Sequence, residues 1–187
     1  MKMSRLTLCL FLSVMVGSLC FASCGNSPKE KVAAPELTAD NPDIDFDSFL
    51  AKFTSSAAFQ YSRIKFPLKS AIVLSTADGL SEKSFPFTKD KWPLLDGEDL
   101  KEARVEQEGG GILVSKFVVK TNNHVEFESG YEESEIDLRV VFDLIEGKWY
   151  ATDCITGWYS YNLTVNELPQ TVKQVQEDNR NFIQDNP

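Results

Sequence analysis

Few side chains in this sequence can do chemistry. There is one His and there are four Cys among 187 residues. A Ser-His-Asp or Cys-His hydrolase would rest wholly on His124, and most His-based metal sites are excluded. His124 follows Asn122-Asn123 at a predicted turn, where a surface histidine is the plain expectation. Cys154 falls on a predicted strand and reads as a small buried hydrophobe, not a reactive thiol. Asp153 is the candidate general base. It shares strand parity with Trp149, Ala151 and Ile155. If Glu146-Gly147 is a two-residue turn, Asp153 pairs with Val140 on the apolar face, where desolvation would raise its pKa. If Gly147 forms a bulge, Asp153 meets Arg139 in an ordinary cross-strand ion pair. The ion pair is the simpler expectation, and no other catalytic residue is assigned.

The remaining patterns point to packing or binding. Asp43, Asp45 and Asp47 alternate, but an EF-hand would need Gly at Ser48 and Glu at Thr54. They are read as a helix start with Asp45 as N-cap, and no metal site is expected. Gly109-Gly110-Gly111 is a loop or bulge, since no Gly-Lys-Ser/Thr follows it as in a phosphate-binding loop. No cofactor is implied. Trp149, Tyr150, Trp158, Tyr159 and Tyr161 make an aromatic-rich stretch that packing largely explains, although aromatic platforms also bind sugars and apolar ligands. Trp92, Arg139, Trp149, Tyr150 and Trp158 are the candidate pocket or interaction residues. Glu132, Glu133 and Glu135 read as a solvated face.

The elements that must position these residues follow from periodicity. Phe46, Phe49, Leu50 and Phe53 are spaced as one face of an amphipathic helix. Ser55 or Ser56 caps a second short helix carrying Phe59. Arg63-Ile64-Lys65-Phe66 alternates like a strand that Pro67 stops, and Ala71 to Ser75 is a further strand. Thr88 to Ala103 reads as irregular and partly helical. Strands are then expected at Ile112 to Lys120 and Val125 to Glu128. Ile136, Leu138, Val140, Phe142 and Leu144 alternate with polar residues, giving one buried and one wetter face. Glu146-Gly147 makes a hairpin turn and Lys148 to Tyr159 returns. Leu168, Val172, Val175 and Phe182 form a terminal helix with Pro169 in its first turn. Helices first and strands clustered later argue for an α+β fold with N-terminal helices packed on a curved antiparallel sheet, plus a C-terminal helix.

Residues 1–23 read as a secretory signal: Lys2 and Arg5 precede an apolar run from Leu6 to Phe21, and no acidic residue appears before Glu30. That run is shorter than the roughly 20 residues that cross a bilayer. Phe21-Ala22-Ser23-Cys24 resembles the lipobox of bacterial lipoproteins, which implies a lipid on Cys24 as the mature N-terminus. Cys9 and Cys20 then leave with the signal, and Cys154 alone remains, so no internal disulfide is available. Loss of Lys2 and Arg5 moves the formal charge from −9 to −11. The lipoprotein resemblance further implies the outer membrane as the address, because Gly25 follows Cys24 where an Asp would signal retention in the inner membrane. Residues 24–43, with Pro28, Pro35 and Pro42, read as a tether, and residues 44–187 as one domain. An apolar share of 42% excludes disorder for that domain. The acid excess excludes nucleic acid as a partner.

Several ordered segments resemble a known superfamily. The hairpin from Phe142 to Tyr150, with its Glu146-Gly147-Lys148-Trp149 turn, is similar to that of nuclear transport factor 2-like proteins. Phe59-Gln60, the run Arg63 to Leu68 and the Trp92 segment resemble a family of bacterial lipoproteins carrying a domain of unknown function. The resemblance spans roughly residues 44–161 and implies a cone, with helices folded over a bent sheet and enclosing a pocket. Members use that pocket as an isomerase or dehydratase site, as a small-molecule receptor, or not at all, so fold leaves function open. The Asp, His or Tyr of the enzymes map onto no residue of this chain. The sequence thus leads to a lipid-anchored envelope domain that binds a small apolar molecule or an envelope protein. The alternatives are an isomerase- or hydrolase-like enzyme using Asp153, or a structural domain with a filled core.

Overall fold

The computed structural model describes residue 41 and residues 43–107, 110–160 and 162–186. The expected signal, the lipid-bearing Cys24, most of the tether, Gly109 and Tyr161 lie outside the described residues. Two helices open the domain. Helix α1 (Phe46–Ser55) starts where the Asp45 carboxylate accepts the Ser48 amide at 2.8 Å. This satisfies one of the orphan donors of the first turn. Helix α2 (Ala57–Ser62) is capped by Ser56. Strands β1 (Ile72–Ser75) and β2 (Glu82–Phe85) pair as a small hairpin. A 3-10 turn at Lys89–Lys91 and an irregular crossing follow. Strands β3 (Ala103–Glu106), β4 (Ile112–Lys120), β5 (His124–Tyr131), β6 (Ile136–Ile145) and β7 (Lys148–Thr156) then form one antiparallel sheet in sequential order. Helix α3 (Leu168–Asp185) closes the chain, with Pro169 in its first turn. The fold is α+β, as the order of patterns required.

The aromatic stripe of α1 seats on the inner face of β6 and β7. The Phe46 ring lies 5.0 Å from Trp149, and the Phe49 and Phe53 rings lie 5.6 and 5.5 Å from Phe142, all steeply inclined. Edge-to-face contacts of this kind stabilise beyond area burial alone. Phe127, Val125 and Val140 extend the same core across the sheet.

The structure departs from expectation at the short strands. Arg63 to Phe66 forms no strand; Ile64 makes a single parallel bridge to Ala151, flanked by the amide of Lys65 on the Ala151 carbonyl at 2.9 Å. Pro67 lacks the N–H needed to extend the ladder, yet the bridge covers the otherwise open edge of β7. Strands β2 and β3 were not anticipated. Their exposed, charged sequences carry no alternation of burial, so only hydrogen bonding to a neighbour defines them. Strand β5 runs beyond the expected Val125–Glu128 to His124–Tyr131.

The irregular residues 92–95 cross the interior without a strand or helix partner, and two buried amides satisfy them. Gln60, fully buried, accepts from the Trp92 indole and the Leu95 amide, each at 2.9 Å. It donates to the carbonyls of Phe53 and Leu95. From the other side Asn179 of α3 accepts the Leu94 amide at 2.7 Å and donates to the Trp92 carbonyl at 2.8 Å. Replacing Gln60 by Leu would strand several buried groups, each costing about 1–3 kcal/mol when unpaired. We therefore predict that Gln60→Leu lowers the unfolding free energy by about 3 kcal/mol or more in urea titration, although it raises side-chain hydrophobicity. A neutral result would show that these hydrogen bonds do not hold the segment.

Candidate functional site

The sequence left Asp153 paired with either Val140 or Arg139; the structure sets it opposite Val141 in the ladder and brings the Arg139 guanidinium to 3.9 Å. Glu146 and Gly147, with φ of 51° and 75°, form a two-residue turn, and Ile145 pairs with Lys148. That register holds to Phe142↔Ala151. A bulge at Thr152 then shifts it, so that Val141 pairs with Asp153 and Val140 with Cys154. The extra residue turns Asp153 away from Trp149 and Ala151 onto the opposite, charged face of the sheet. Cys154 takes the core position; it is buried, and burial pushes its thiol pKa up.

On that outer face Asp153 joins a line of alternating charges. Lys69 and Asp143 are paired at 2.9 Å. Asp143 meets His124 Nδ1 at 2.6 Å, and His124 Nε2 meets Glu126 at 2.8 Å. The Arg139 guanidinium donates to Glu126 at 2.6 Å and lies 3.6 Å from Glu128 and 3.9 Å from Asp153. Asp153 also accepts the Ser70 amide at 2.8 Å, the Ser70 hydroxyl at 3.0 Å and the Cys154 amide at 3.0 Å. Strands β5, β6 and β7 supply the row, because His124↔Asp143 and Glu128↔Arg139 are cross-strand pairs. The loop carrying Lys69 and Ser70 lies over its end.

Flanking carboxylates decide the protonation of His124. A neutral imidazole offers one donor, whereas two carboxylates ask for two. The hydrogen bonds to Asp143 and then Glu126 therefore raise the His124 pKa above its usual value. Burial alone would push Asp143 up, but hydrogen bonds from Thr152, His124 and Lys69 outweigh it and bring the carboxyl down to about 2. Hydrogen bonds from His124 and Arg139 likewise lower Glu126. His124, Glu126, Arg139 and Asp143 are each hydrogen-bonded to a neighbour in the row. Both oxygens of Asp153 accept hydrogen bonds and both ring nitrogens of His124 meet a carboxylate, so the row fastens strands and loop to one another. Among the described residues no cluster of His, Cys, Asp or Glu is arranged to hold a metal ion.

The five expected pocket residues do not meet. Trp92 and Trp149 are fully buried core residues, with indole nitrogens donated to Gln60 and to the Ile44 carbonyl. Tyr150 lies on the outer face under Lys65, whose ammonium sits 3.8 Å from the ring centroid. Arg139 belongs to the charged row, and Trp158 is partly exposed at the far end of β7. His124, expected as a lone surface residue, is central to the row. The adjacent polar pair Thr152-Asp153 between Ala151 and Cys154 was the one available sign of the bulge.

A family model described as "-like" matches residues 44–183. A cystatin-like protein from Bacteroides caccae, known from a crystal structure, is 62% identical with a TM-score of 0.76. The match covers 78% of this chain and 97% of that one. The chain belongs to this cystatin-like family. NMR structures of proteins from Bacteroides uniformis and Bacteroides ovatus are each 56% identical, with TM-scores of 0.74 and 0.73. They cover 78% and 82% of this chain, and 98% and 100% of their own lengths. No curated protein matches it.

For this cystatin-like domain the raised His124 pKa has a definite sign. The stabilisation is complete below the unfolded value of 6.5 and is lost as pH rises through the folded value. Asp143 acts in the other direction, its contribution lost only as pH falls from 3.8 towards 2. We predict that the melting temperature declines as pH rises above about 6.5, and that His124→Gln flattens this decline. Circular dichroism melts at several pH values check it, and an unchanged slope in the variant would refute the assignment.

Proposed function

We propose that this protein is a non-enzymatic binding domain of the bacterial cell envelope, with the nuclear transport factor 2-like cone layout and a lipid on Cys24. The observation that carries the reading is the filled interior: Phe49, Phe53 and Phe142 are each fully buried where such a cone would hold its pocket. Recognition therefore belongs to the outer surface, and a small apolar molecule inside the sheet has no room. The enzyme alternative loses support because Asp153 is held by Ser70 and Arg139 and opens onto no cavity. The anchor reading rests on Phe21-Ala22-Ser23-Cys24 and on the apolar run before it. Among the described residues no helix is long and apolar enough to cross a membrane. Acyl chains on one cysteine would hold the protein stably, which a single chain would not.

The test is mass spectrometry of the native protein extracted from membranes. We expect a mature chain that begins at an acylated Cys24, and a Cys24→Ser variant that leaves the outer-membrane fraction. An unmodified Cys24, or a variant that stays in the outer-membrane fraction, would overturn the anchor.

A further inference from the structure

A concave feature lies on the outside of the domain, away from both the filled core and the charged row. Tyr61 of α2, Phe66 and Pro67 after it, Lys89 of the 3-10 turn, and Arg180 and Ile183 of α3 line a groove of about 780 Å³. That volume falls within the range typical of small-molecule sites, about 300–1,000 Å³. Its floor and walls are mainly apolar. Ile183 stands exposed on α3 beside it, although a solvent-facing helix position would ordinarily be polar.

Lys89, Arg180 and the Tyr61 hydroxyl are the donors this groove presents, beside one carboxylate, Asp90. Lys89 sits 4.5 Å above the Tyr61 ring, and among the described residues no carboxylate lies within 4.0 Å of its ammonium. The acid paired with Arg180 is Glu177, one turn back on α3 at 3.8 Å, beyond hydrogen-bonding distance. The Tyr61 hydroxyl accepts from Asn179 at 3.2 Å, and no acceptor among the described residues takes its proton. Asp90 is the acid in the lining; Thr88 donates to it at 2.6 Å and Lys91 pairs with it at 3.5 Å. Lys89 thus has no salt-bridge partner among the described residues, and Arg180 has one only at 3.8 Å.

We propose that this groove binds a small apolar molecule bearing a carboxylate. The ring or chain lies against Phe66, Pro67 and Ile183, and the carboxylate takes hydrogen bonds from Lys89, Arg180 and Tyr61. Charge-assisted donors of this kind favour an anion over a neutral isostere. The inference rests on the surface-binding reading above and names its site and ligand class.

The probe is 2-naphthoate, with neutral 2-naphthamide of the same shape as control. Each is titrated into the chain carrying Cys24→Ser and followed by amide and methyl NMR. We expect 2-naphthoate to shift Tyr61, Lys89 and Ile183 saturably, and 2-naphthamide to bind at least about tenfold more weakly. Lys89→Ala combined with Arg180→Ala removes two exposed charges, so the fold survives, which a melt verifies. The double variant should weaken 2-naphthoate about tenfold and leave 2-naphthamide unchanged. Equal affinity for the two probes, no shift at about 5 mM, or the same 2-naphthoate affinity in the double variant overturns the proposal. Saturable shifts at another surface overturn the groove while leaving a binding domain in place, and Cys24 acylation is read independently of either result.

Discussion

The architecture depends on satisfying one stretch of backbone that has no ladder of its own. Residues 92–95 pass through the interior between α2 and α3, and buried peptide groups there must find partners or the crossing is prohibitively costly. Gln60 and Asn179 meet that need from opposite sides. Because Gln60 also reaches the Phe53 carbonyl at 2.7 Å, the same amide joins α1, α2 and the crossing segment. Trp92 is thereby fixed against Phe66 and Phe87, with ring separations of 6.2 and 6.1 Å. The three helices and the crossing segment are thus registered by polar atoms inside a largely apolar core, where their directionality has no competitor from water.

The sheet shows the complementary principle on its outer face. Asp143, His124, Glu126 and Arg139 alternate in sign across β5 and β6, so each charge is surrounded by its opposite. Isolated surface pairs contribute little, but a geometrically continuous row that is half shielded by a loop differs from a collection of isolated pairs. The row and the bulge are interdependent. Thr152, the extra residue, donates to Asp143 at 2.6 Å, and Asp153 beside it receives Ser70.

Periodicity revealed what depends on local spacing. The stripe Phe46, Phe49, Phe53, the turn at Glu146-Gly147 and the terminal helix from Leu168 were legible because each repeats within a few residues. The Asp153 environment was not, since one inserted residue reverses the face of all that follows it and leaves almost no trace in composition. Likewise His124 is defined by pairing with Asp143, which is itself held by Lys69 from a loop far back in the sequence, and no local pattern encodes this. The resemblance of Phe59-Gln60 and the Trp92 segment to a lipoprotein family pointed at residues that matter, but their hydrogen bond, not a pocket, is what unites them.

The point where the chain enters the domain has a mechanical meaning. The Asp43 side chain pairs with Arg63, the Asp43 carbonyl accepts the Trp149 amide at 3.2 Å, and the Ile44 carbonyl accepts the Trp149 indole at 2.8 Å. Tension arriving at Asp43 is therefore shared between α2 and the β6–β7 hairpin before it reaches the first turn of α1. Several bonds must fail together, instead of one helix unwinding residue by residue. A domain tugged from its amino end would yield late and abruptly, with a fully buried indole as the rivet.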